Sequence, residues 1–227
     1  MIEAVHLISR PMLDASLKNA FSDGAEWPVD RDSVAALIDL ELSNGQIGRA
    51  PAESTRFAEV ALPHLDAAYN LARWITRDSS DASDVVQEAM LRALRFFGSY
   101  RGGSSKSWLL TIVRNTAMDW MRTNRRMDIV FSVPDGTGES ASDIDNVASE
   151  SDDAETALIR AADHAQLDRL VAALPTEFRE SLVLREIEGL SYKEIAIVTN
   201  VPIGTVMSRL ARARQLLQRN WVKEDAR

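Results

Sequence analysis

The amino-acid sequence predicts an all-α protein built from two small helical domains that a flexible acidic linker joins. Apolar residues recur at intervals of three and four in both halves of the chain, which is the spacing of a buried helix face, and the alternation typical of β-strands is not found. A stretch rich in Gly, Ser and Asp separates the halves and carries few large apolar residues, so it should not pack into a core. We therefore expect an N-terminal extension, a first helical domain, a linker and a second helical domain, over residues 1–55, 56–127, 128–158 and 159–223.

The composition excludes several classes of protein. None of the 227 residues is cysteine, which rules out disulfides, thiolate metal sites and cysteine nucleophiles and fits a reducing cytoplasm. His6, His64 and His164 lie far apart and in no metal-ligand spacing, and the GxxxxGK and GxSxG motifs are missing, so we expect no catalytic site, metal or cofactor. The sequence shows neither a signal peptide nor an apolar run of roughly 18 residues, and we predict a cytoplasmic protein without membrane insertion.

The net charge of −8 comes from one segment. Residues 128–155 contain nine acidic residues and no Lys or Arg, whereas the rest of the chain has 25 acidic residues against 26 basic ones. A block of like charge is typical of a solvated tether between domains. A specific role for these acidic residues is the alternative, and the sequence leaves both open. The acidic balance of the whole chain therefore does not exclude a nucleic-acid partner.

Residues 1–55 mix short apolar runs with Pro and Gly residues. The stretch DSVAALIDLEL, residues 32–42, predicts one helix with Asp32 or Ser33 as its N-cap. The remainder of this extension is predicted to be loop, and its sequence indicates no function.

Three helical segments are predicted in the first domain. Apolar residues over 57–75 form one helical face, which Pro63 interrupts with a kink or a new first turn. The next helix, residues 81–97, can take Asp81 or Ser83 as its N-cap. A loop, GSYRGGSSKS, then leads to the third helix, WLLTIVRNTAMDWMRTNRR, which ends in a basic cluster. The predicted core face of the second helix is Val85, Val86, Ala89 and Ala93.

The second domain has the layout of a helix-turn-helix. A helix over residues 176–189 is expected to stop at its final glycine, and the next one opens with Ser191 and Glu194, a Ser-x-x-Glu capping box. After a turn around Asn200, Pro202 fits the first turn of the final helix. A short helix, a tight turn and a longer helix are typical of the DNA-binding unit whose second helix enters the major groove.

One face of the final helix is predicted to pack on its domain and the other to meet DNA. Small residues in its first turns let the helix N-terminus approach phosphates and base edges, and the arginines further along suit phosphate contact or guanine readout. A solvated basic face is the simpler interpretation, but the capping box, the turn and the Gly-Thr entry favour DNA. The predicted packing face is Ile203, Val206, Leu210, Ala213, Leu217 and Trp221, and the projecting residues are Thr205, Ser208, Arg209, Arg212, Gln215 and Arg219.

Three stretches together resemble a known family, the small bacterial sigma factors of the extracytoplasmic-function (ECF) type. EGLSYKEIAIVTNVPIGTVMSRLARAR is similar to the domain-four helix-turn-helix of that family, DASDVVQEAMLRAL resembles its region 2.2, and WLLTIVRNTAMDWMRTNRR resembles its regions 2.3 to 2.4. The resemblance covers residues 56–126 and 160–221. It implies a promoter-specificity subunit of bacterial RNA polymerase that initiates transcription in a stress response and is not an enzyme.

The resemblance implies that the first domain docks on core RNA polymerase. An exposed stripe on the helix over residues 81–97 would bind the clamp helices of the β′ subunit, and its mixed charges around a leucine suit an interface with a rim and an anchor. A solvated face is the alternative. The stripe consists of Asp84, Gln87, Glu88, Leu91 and Arg95.

The resemblance also implies that the third helix and its preceding loop open the minus-ten element and hold its non-template strand. Aromatic faces and arginines suit unstacked bases, although Trp108 and Trp120, taken singly, are more typical of a core. Asp119 is expected to be a buried or capping partner of a nearby arginine. The candidate contacts are Tyr100, Arg101, Lys106, Trp108, Arg114, Asn115, Arg122, Arg125 and Arg126.

For the second domain, the resemblance implies that it reads the minus-thirty-five duplex of promoter DNA and touches the β flap. The linker would thread toward the active-site and RNA-exit channel, where its acids would occupy basic walls. An anti-sigma factor is implied as a further partner that masks both domains. The candidate minus-thirty-five contacts are Ser191, Lys193, Gly204, Thr205, Ser208, Arg209 and Arg212.

Two other functions fit parts of the sequence. A sigma-like decoy that binds an anti-sigma factor without binding DNA would keep the polymerase stripe but has no need for Thr205, Ser208 or the neighbouring arginines. A stand-alone helix-turn-helix regulator that binds operators as a dimer would not need the DVVQEA helix. This chain contains both the DVVQEA helix and the polar and basic residues around Thr205 and Ser208. Their presence together favours a sigma factor over either alternative.

Overall fold

The computed structural model describes residues 51–131 and 166–225, together with Ala36. Every regular element in these residues is helical, and no strand occurs among them, which confirms the predicted all-α fold. Apart from Ala36, the helix predicted over residues 32–42 lies outside the described residues, and so does the predicted linker beyond residue 131.

The first domain contains α1 (Pro51–Ala61), α2 (Leu65–Thr76), α3 (Ser79–Phe96) and α4 (Ser105–Phe131). Pro63 lies in a 3-10 turn that separates α1 from α2, because proline has no N–H for an α-helical hydrogen bond. The predicted interruption is therefore confirmed. The last helix starts three residues before the predicted Trp108 and continues into the range predicted as linker.

The core of the first domain lies where α2, α3 and α4 pack against one another. Leu65, Leu71 and Ile75 fill it from α2, and Phe57 of α1 meets Phe97 edge to face, with 5.4 Å between ring centroids. The small residues of α3 bring its backbone close to its neighbours. All four predicted core residues of this helix are buried, and further buried residues on it are Ala82, Met90 and Leu94.

The N-terminus of α3 differs from the prediction. Its N-cap is Asp78, whose Oδ1 accepts the backbone N–H of Asp81 at 2.9 Å; it is neither Asp81 nor Ser83. Arg77 ends α2 in the left-handed region, with φ at 67°, so the chain turns sharply and the helix begins earlier than expected. Asp81 lies in the first turn instead, where its charge suits the helix dipole.

The second domain contains α5 (helical over residues 166–172), α6 (Thr176–Leu182), α7 (Tyr192–Thr199) and α8 (Ile203–Asp225). A π-helical turn, residues 183–187, extends α6. The helix ends just before Gly189, which has a φ of 68°, and a glycine adopts this conformation without steric cost. The predicted stop is thus confirmed.

The helix-turn-helix is formed by α7 and α8. The Ser191 Oγ accepts the backbone N–H of Glu194 at 3.3 Å, and the Glu194 carboxylate accepts the backbone N–H of Ser191 at 2.9 Å, which is the predicted capping box. Asn200 takes a left-handed conformation in the turn, with φ at 53°. Pro202 lies just before α8 and not in its first turn; its carbonyl accepts the N–H of Thr205 at 2.9 Å.

The predicted packing face of α8 is correct except at its ends. Val206, Leu210, Ala213 and Leu217 are buried against α6 and α7, and Trp221 is partly buried. Ile203, however, is 37% exposed. A helical side chain lies over the turn that precedes its own Cα, and no helical turn precedes this first residue.

Candidate nucleic-acid and polymerase interfaces

The stripe predicted to bind polymerase lies on the surface of α3. Asp84, Gln87 and Arg95 are exposed, and Glu88 and Leu91 are partly exposed. The opposite face of the same helix is the buried one, so the helix separates an interior face from a mixed-charge outer face.

Asp119 lies in a small surface network with two arginines. Its Oδ2 accepts a hydrogen bond from Arg92 at 3.4 Å and its Oδ1 one from Arg122 at 3.2 Å. The predicted pairing with an arginine is confirmed. Of the two alternatives for Asp119, a buried or a capping partner, burial is wrong, because the side chain is 53% exposed. Arg92, which the sequence did not single out, also donates from Nε to Glu88 at 2.8 Å and so ties the polymerase stripe to α4.

An aromatic cluster closes the loop between α3 and α4. The rings of Phe97 and Tyr100 stack with centroids 5.9 Å apart, and Trp108 packs against both. The Tyr100 hydroxyl donates to the carbonyl of Gly103 at 3.0 Å. Two of the candidate minus-ten residues are therefore partly buried in protein contacts, and Trp120 also packs on the core.

Among the described side chains, the basic and amide residues predicted to hold the minus-ten strand fall into two groups. Arg101, Asn115 and Arg122 are exposed on the loop and on α4. Lys106 and Arg114 are instead bound to carboxylates of the second domain. The side chains of Arg125 and Arg126 lie outside the described part of the chain.

One buried carboxylate holds two of the predicted DNA-binding arginines. Glu180 on α6 is 1% exposed; it accepts hydrogen bonds from Arg114 at 3.0 and 3.3 Å and from Arg209 at 3.1 Å. The first arginine belongs to the first domain and the second to the second domain, and each is 19% exposed. The prediction that Arg209 projects from the surface is therefore wrong, because so deep a carboxylate requires positive charges around it.

A second carboxylate, Glu188, binds the first domain beside α4. It accepts a salt bridge from Lys106 Nζ at 2.7 Å and a hydrogen bond from the Asn70 amide at 3.2 Å. Its backbone carbonyl accepts a further hydrogen bond from Lys106 at 2.9 Å. In sequence, Lys106 lies 82 residues and Asn70 lies 118 residues before Glu188. No local sequence pattern could therefore have predicted this contact.

A third carboxylate of the second domain reaches the start of α4. The Ser107 hydroxyl donates to Glu194 Oε1 at 3.2 Å, while the same carboxylate completes the capping box with Ser191. Hydrogen bonds from Ser191 are the main reason why the pKa of Glu194 is lowered from its ordinary value. Three acidic side chains thus contact successive polar groups along the helix predicted to hold the minus-ten strand.

The predicted minus-thirty-five surface is open apart from Arg209. Ser191, Lys193, Gly204, Ser208 and Arg212 are exposed, and Thr205 is partly exposed. A Cβ atom at Gly204 would meet no neighbouring side chain or loop within 4 Å, so another molecule can approach the backbone there. Two exposed apolar residues that no sequence pattern indicated, Ile197 and Met207, flank this surface.

Other arginines support the interior of the second domain. Arg179 is fully buried and donates to the carbonyls of Ala172 and Leu174 at 2.8 and 3.0 Å, which closes the end of α5. Burial is the main reason why its pKa falls to about 10. Arg214 donates to the buried Glu186. Among the basic residues of α8 whose side chains the structure describes, the exposed ones are Arg212 and Arg219.

Within residues 51–131 and 166–225, no cluster of three or more His, Asp or Glu side chains has the arrangement of a metal site. No helix in the same residues has the length and apolar character needed to cross a membrane.

The chain matches two family descriptions. Residues 61–127 match "Sigma-70 region 2" and residues 164–217 match "Sigma-70, region 4". The first match spans α2, α3 and most of α4, and the second spans α5 to α7 and most of α8.

Similar proteins carry corresponding names. The chain is 32% identical to the ECF RNA polymerase sigma factor SigE of Mycolicibacterium smegmatis, over 91% of this chain and 75% of that protein. It is 37% identical to the RNA polymerase sigma-H factor of Pseudomonas aeruginosa, over 63% of this chain and 74% of that one. A solved structure, the sigma factor RpoE of Bartonella quintana in complex with the anti-sigma factor NepR, is similar with a TM-score of 0.52 and 26% identity, over 70% of this chain and 91% of that one.

Proposed function

The chain belongs to the family of ECF RNA polymerase sigma factors, and from that premise we propose that it is a promoter-specificity subunit of bacterial core RNA polymerase. The observation that carries the proposal is the pairing, in one chain, of a region-2 domain with a region-4 helix-turn-helix. The protein supplies recognition of promoter DNA and no chemistry of its own, so it is not an enzyme. It acts in the cytoplasm, where the polymerase and the promoter are.

The polymerase would be bound through the stripe of α3. Asp84, Gln87 and Arg95 point away from the core of their own domain, and Leu91 offers an apolar centre between them. An apolar anchor with a polar rim is the usual composition of a protein interface. The β′ clamp helices are the proposed partner of this stripe, and the β flap is the proposed partner of the second domain.

Promoter DNA would be bound at two places. Arg101, Asn115 and Arg122 offer donors to the minus-ten strand beside the aromatic cluster, and Lys106 and Arg114 join them once their carboxylate partners are released. The start of α8 would enter the major groove of the minus-thirty-five element, with Ser208 and Arg212 exposed for it. Each domain can bind DNA weakly on its own, because the polymerase tethers both and raises their effective concentration.

An anti-sigma factor is the proposed further partner. The similar sigma factor of Bartonella quintana is bound to such a factor in its crystal structure. We infer that a protein of this class binds both domains of this chain and blocks their polymerase and DNA surfaces until a signal releases it.

Run-off transcription tests the proposed function directly. Purified core RNA polymerase is supplied with a library of promoter fragments, with and without the protein, and we expect specific transcripts only when the protein is present. The triple variant Asp84→Ala, Gln87→Ala and Leu91→Ala removes the apolar centre of the stripe together with two of its polar neighbours. It should lower transcript yield at least about tenfold, since central interface side chains dominate binding energy. The control Glu59→Ala removes an exposed acid on α1, outside the stripe and both predicted DNA surfaces, and should transcribe normally. Absence of transcripts despite binding to core polymerase would contradict the proposal.

A further inference from the structure

We propose that Met207 reads a thymine in the minus-thirty-five element: its side chain contacts the C5 methyl group of one A·T base pair in the major groove. The inference rests on the proposed function, because it assigns a specificity-determining residue to the DNA surface of α8. Met207 is not among the polar and basic residues that the sequence predicts for this surface.

The buried residues of α8 define which side of the helix faces away from its domain. Val206, Leu210 and Ala213 are buried together on one side, and with 3.6 residues per turn each residue is rotated by about 100° from the one before it. A duplex that approaches the N-terminal part of α8 meets the opposite side first. After Ile203, the exposed residues of the first three turns form this outer face: Gly204, Met207, Ser208, Ala211 and Arg212.

Met207 is the large apolar side chain of the outer face, and it is 51% exposed. A helix that docks in a groove of another protein presents large apolar residues at intervals of three, four and seven. At these intervals after Met207, the chain has the buried Leu210, the small Ala211 and the charged Arg214. The outer face therefore suits a partner that offers one small apolar group within a polar surface.

The major groove of DNA offers one such group. Thymine alone carries a methyl group on its major-groove edge, and the other groups on the base edges are hydrogen-bond donors and acceptors. A methionine side chain is flexible and polarisable, so it can adjust to the position of this methyl group. Gly204 lies one turn earlier on the outer face, where the absence of a side chain lets the base edges come close to the helix.

The hydrogen bond of Ser208 favours the same type of base pair. Its hydroxyl donates to the carbonyl of Thr205 at 2.9 Å, so its oxygen offers the groove an acceptor. The donors on major-groove edges are the amino groups of adenine and cytosine. An acceptor at Ser208 next to an apolar contact at Met207 therefore fits adenine and thymine. Arg212 is exposed one turn later and supplies a positive charge for the phosphates.

Replacement of thymine by deoxyuridine tests the contact, because deoxyuridine forms the same base pair and lacks only the C5 methyl group. Holoenzyme assembled from the full chain and core polymerase is bound to a promoter duplex identified by run-off transcription. Each thymine of the minus-thirty-five element is replaced in turn, and the affinity for each duplex is measured by competition. At one position we expect the parent to bind the uracil duplex about fourfold more weakly, which is the loss expected for one buried methyl group.

Three variants assign this preference to a side chain. Met207→Gln keeps the length of the side chain and makes its end polar, so it should bind the thymine and uracil duplexes with equal affinity. Met207→Leu keeps an apolar side chain and should still prefer thymine. Ile197→Ala is the matched control, because it removes an exposed apolar side chain of α7 and should retain the fourfold preference. Each variant is compared with itself on two duplexes, so any change in folding or in polymerase binding cancels in the ratio.

Two results would overturn the inference. One is equal affinity of the parent for thymine and uracil at every position of the element. The other is a preference for thymine that persists in Met207→Gln, since another residue would then contact the methyl group. Specific transcription by the parent leaves the proposed function standing in both cases. If the parent gives no specific transcript, the proposed function itself fails, and the inference fails with it.

Discussion

Replacing Asp168 by asparagine should remove a pH dependence of stability that a desolvated carboxyl group creates. Asp168 lies on α5, and its Oδ1 is buried without a hydrogen-bond partner in the structure. Burial raises its pKa from 3.8 to about 6, and the nearby Arg73 of α2 offsets this only in part. Between pH 3.8 and about pH 6, the Asp168 carboxyl group is therefore protonated in the folded state and ionised in the unfolded state.

The sign and size follow from proton linkage. A carboxyl group whose pKa is raised on folding adds stability that is fully present below 3.8 and is lost as the pH rises through about 6. Because one unit of pKa corresponds to about 1.4 kcal/mol, the free energy of unfolding should fall by about 1 kcal/mol between pH 5 and pH 7. The pH dependence that His64 contributes has the opposite sign. Burial and the neighbouring Lys106 lower the pKa of His64 in the folded state, so the free energy of unfolding falls as the pH drops below 6.5.

Urea unfolding of the parent and of Asp168→Asn at pH 5 and pH 7 separates the two effects. His64 is common to both proteins, so the difference between their pH responses reports Asp168 alone. We expect the parent to lose about 1 kcal/mol more than the variant on going from pH 5 to pH 7. Parallel pH responses of the two proteins would refute the assignment of a raised pKa to this carboxyl group.

Three further outcomes are expected. Leu71→Ala, which deletes a fully buried side chain, should lower the free energy of unfolding by about 2–5 kcal/mol in urea; a loss below about 1 kcal/mol would mean that the three helices do not share this core. Ser191→Ala removes the capping box of α7 and should cost about 1 kcal/mol, measured in the same assay, with Ser208→Ala as a control for loss of an exposed hydroxyl. Arg212→Ala, which removes an exposed arginine of α8, should weaken promoter binding most at low salt and reduce the slope of log K against log salt by about 1, and an unchanged slope would exclude a phosphate contact at this position.

Much of the fold could be predicted from the sequence, because a helix depends on residues that are three and four positions apart. The predicted core positions of α3 are all buried, and the capping box needed only two residues at the right spacing. The cap at Asp78 was missed because it depends on the left-handed turn at Arg77, a backbone conformation that arginine rarely adopts and that no local pattern indicates.

The sequence could predict the candidate site correctly only where all of its residues lie on one helix. The α3 stripe follows from a single helical period, and the structure places its residues on the surface. Arg114 and Arg209 looked equally free in the sequence, because a basic residue on a helix gives no sign of a carboxylate 66 or 29 residues away. Glu180 itself sits in TEFRESL, a stretch that resembles any exposed helix, although it is the most deeply buried acid of the interface.

In the loop between α3 and α4, the tip is exposed and the two ends are held by aromatic packing. Its tip contains Gly102 and Gly103, both with φ near 90° and open space where a Cβ would be, and Arg101 beside them is exposed. The aromatic rings of Tyr100 and Trp108 fix the ends of the loop from beneath. The two glycines are required by their backbone conformation, because another residue is strained at this φ. The exposed side chain of Arg101 can be exchanged while the register of the two helices is maintained. The contact that we propose between this loop and the minus-ten strand can therefore change at Arg101 with little effect on folding stability.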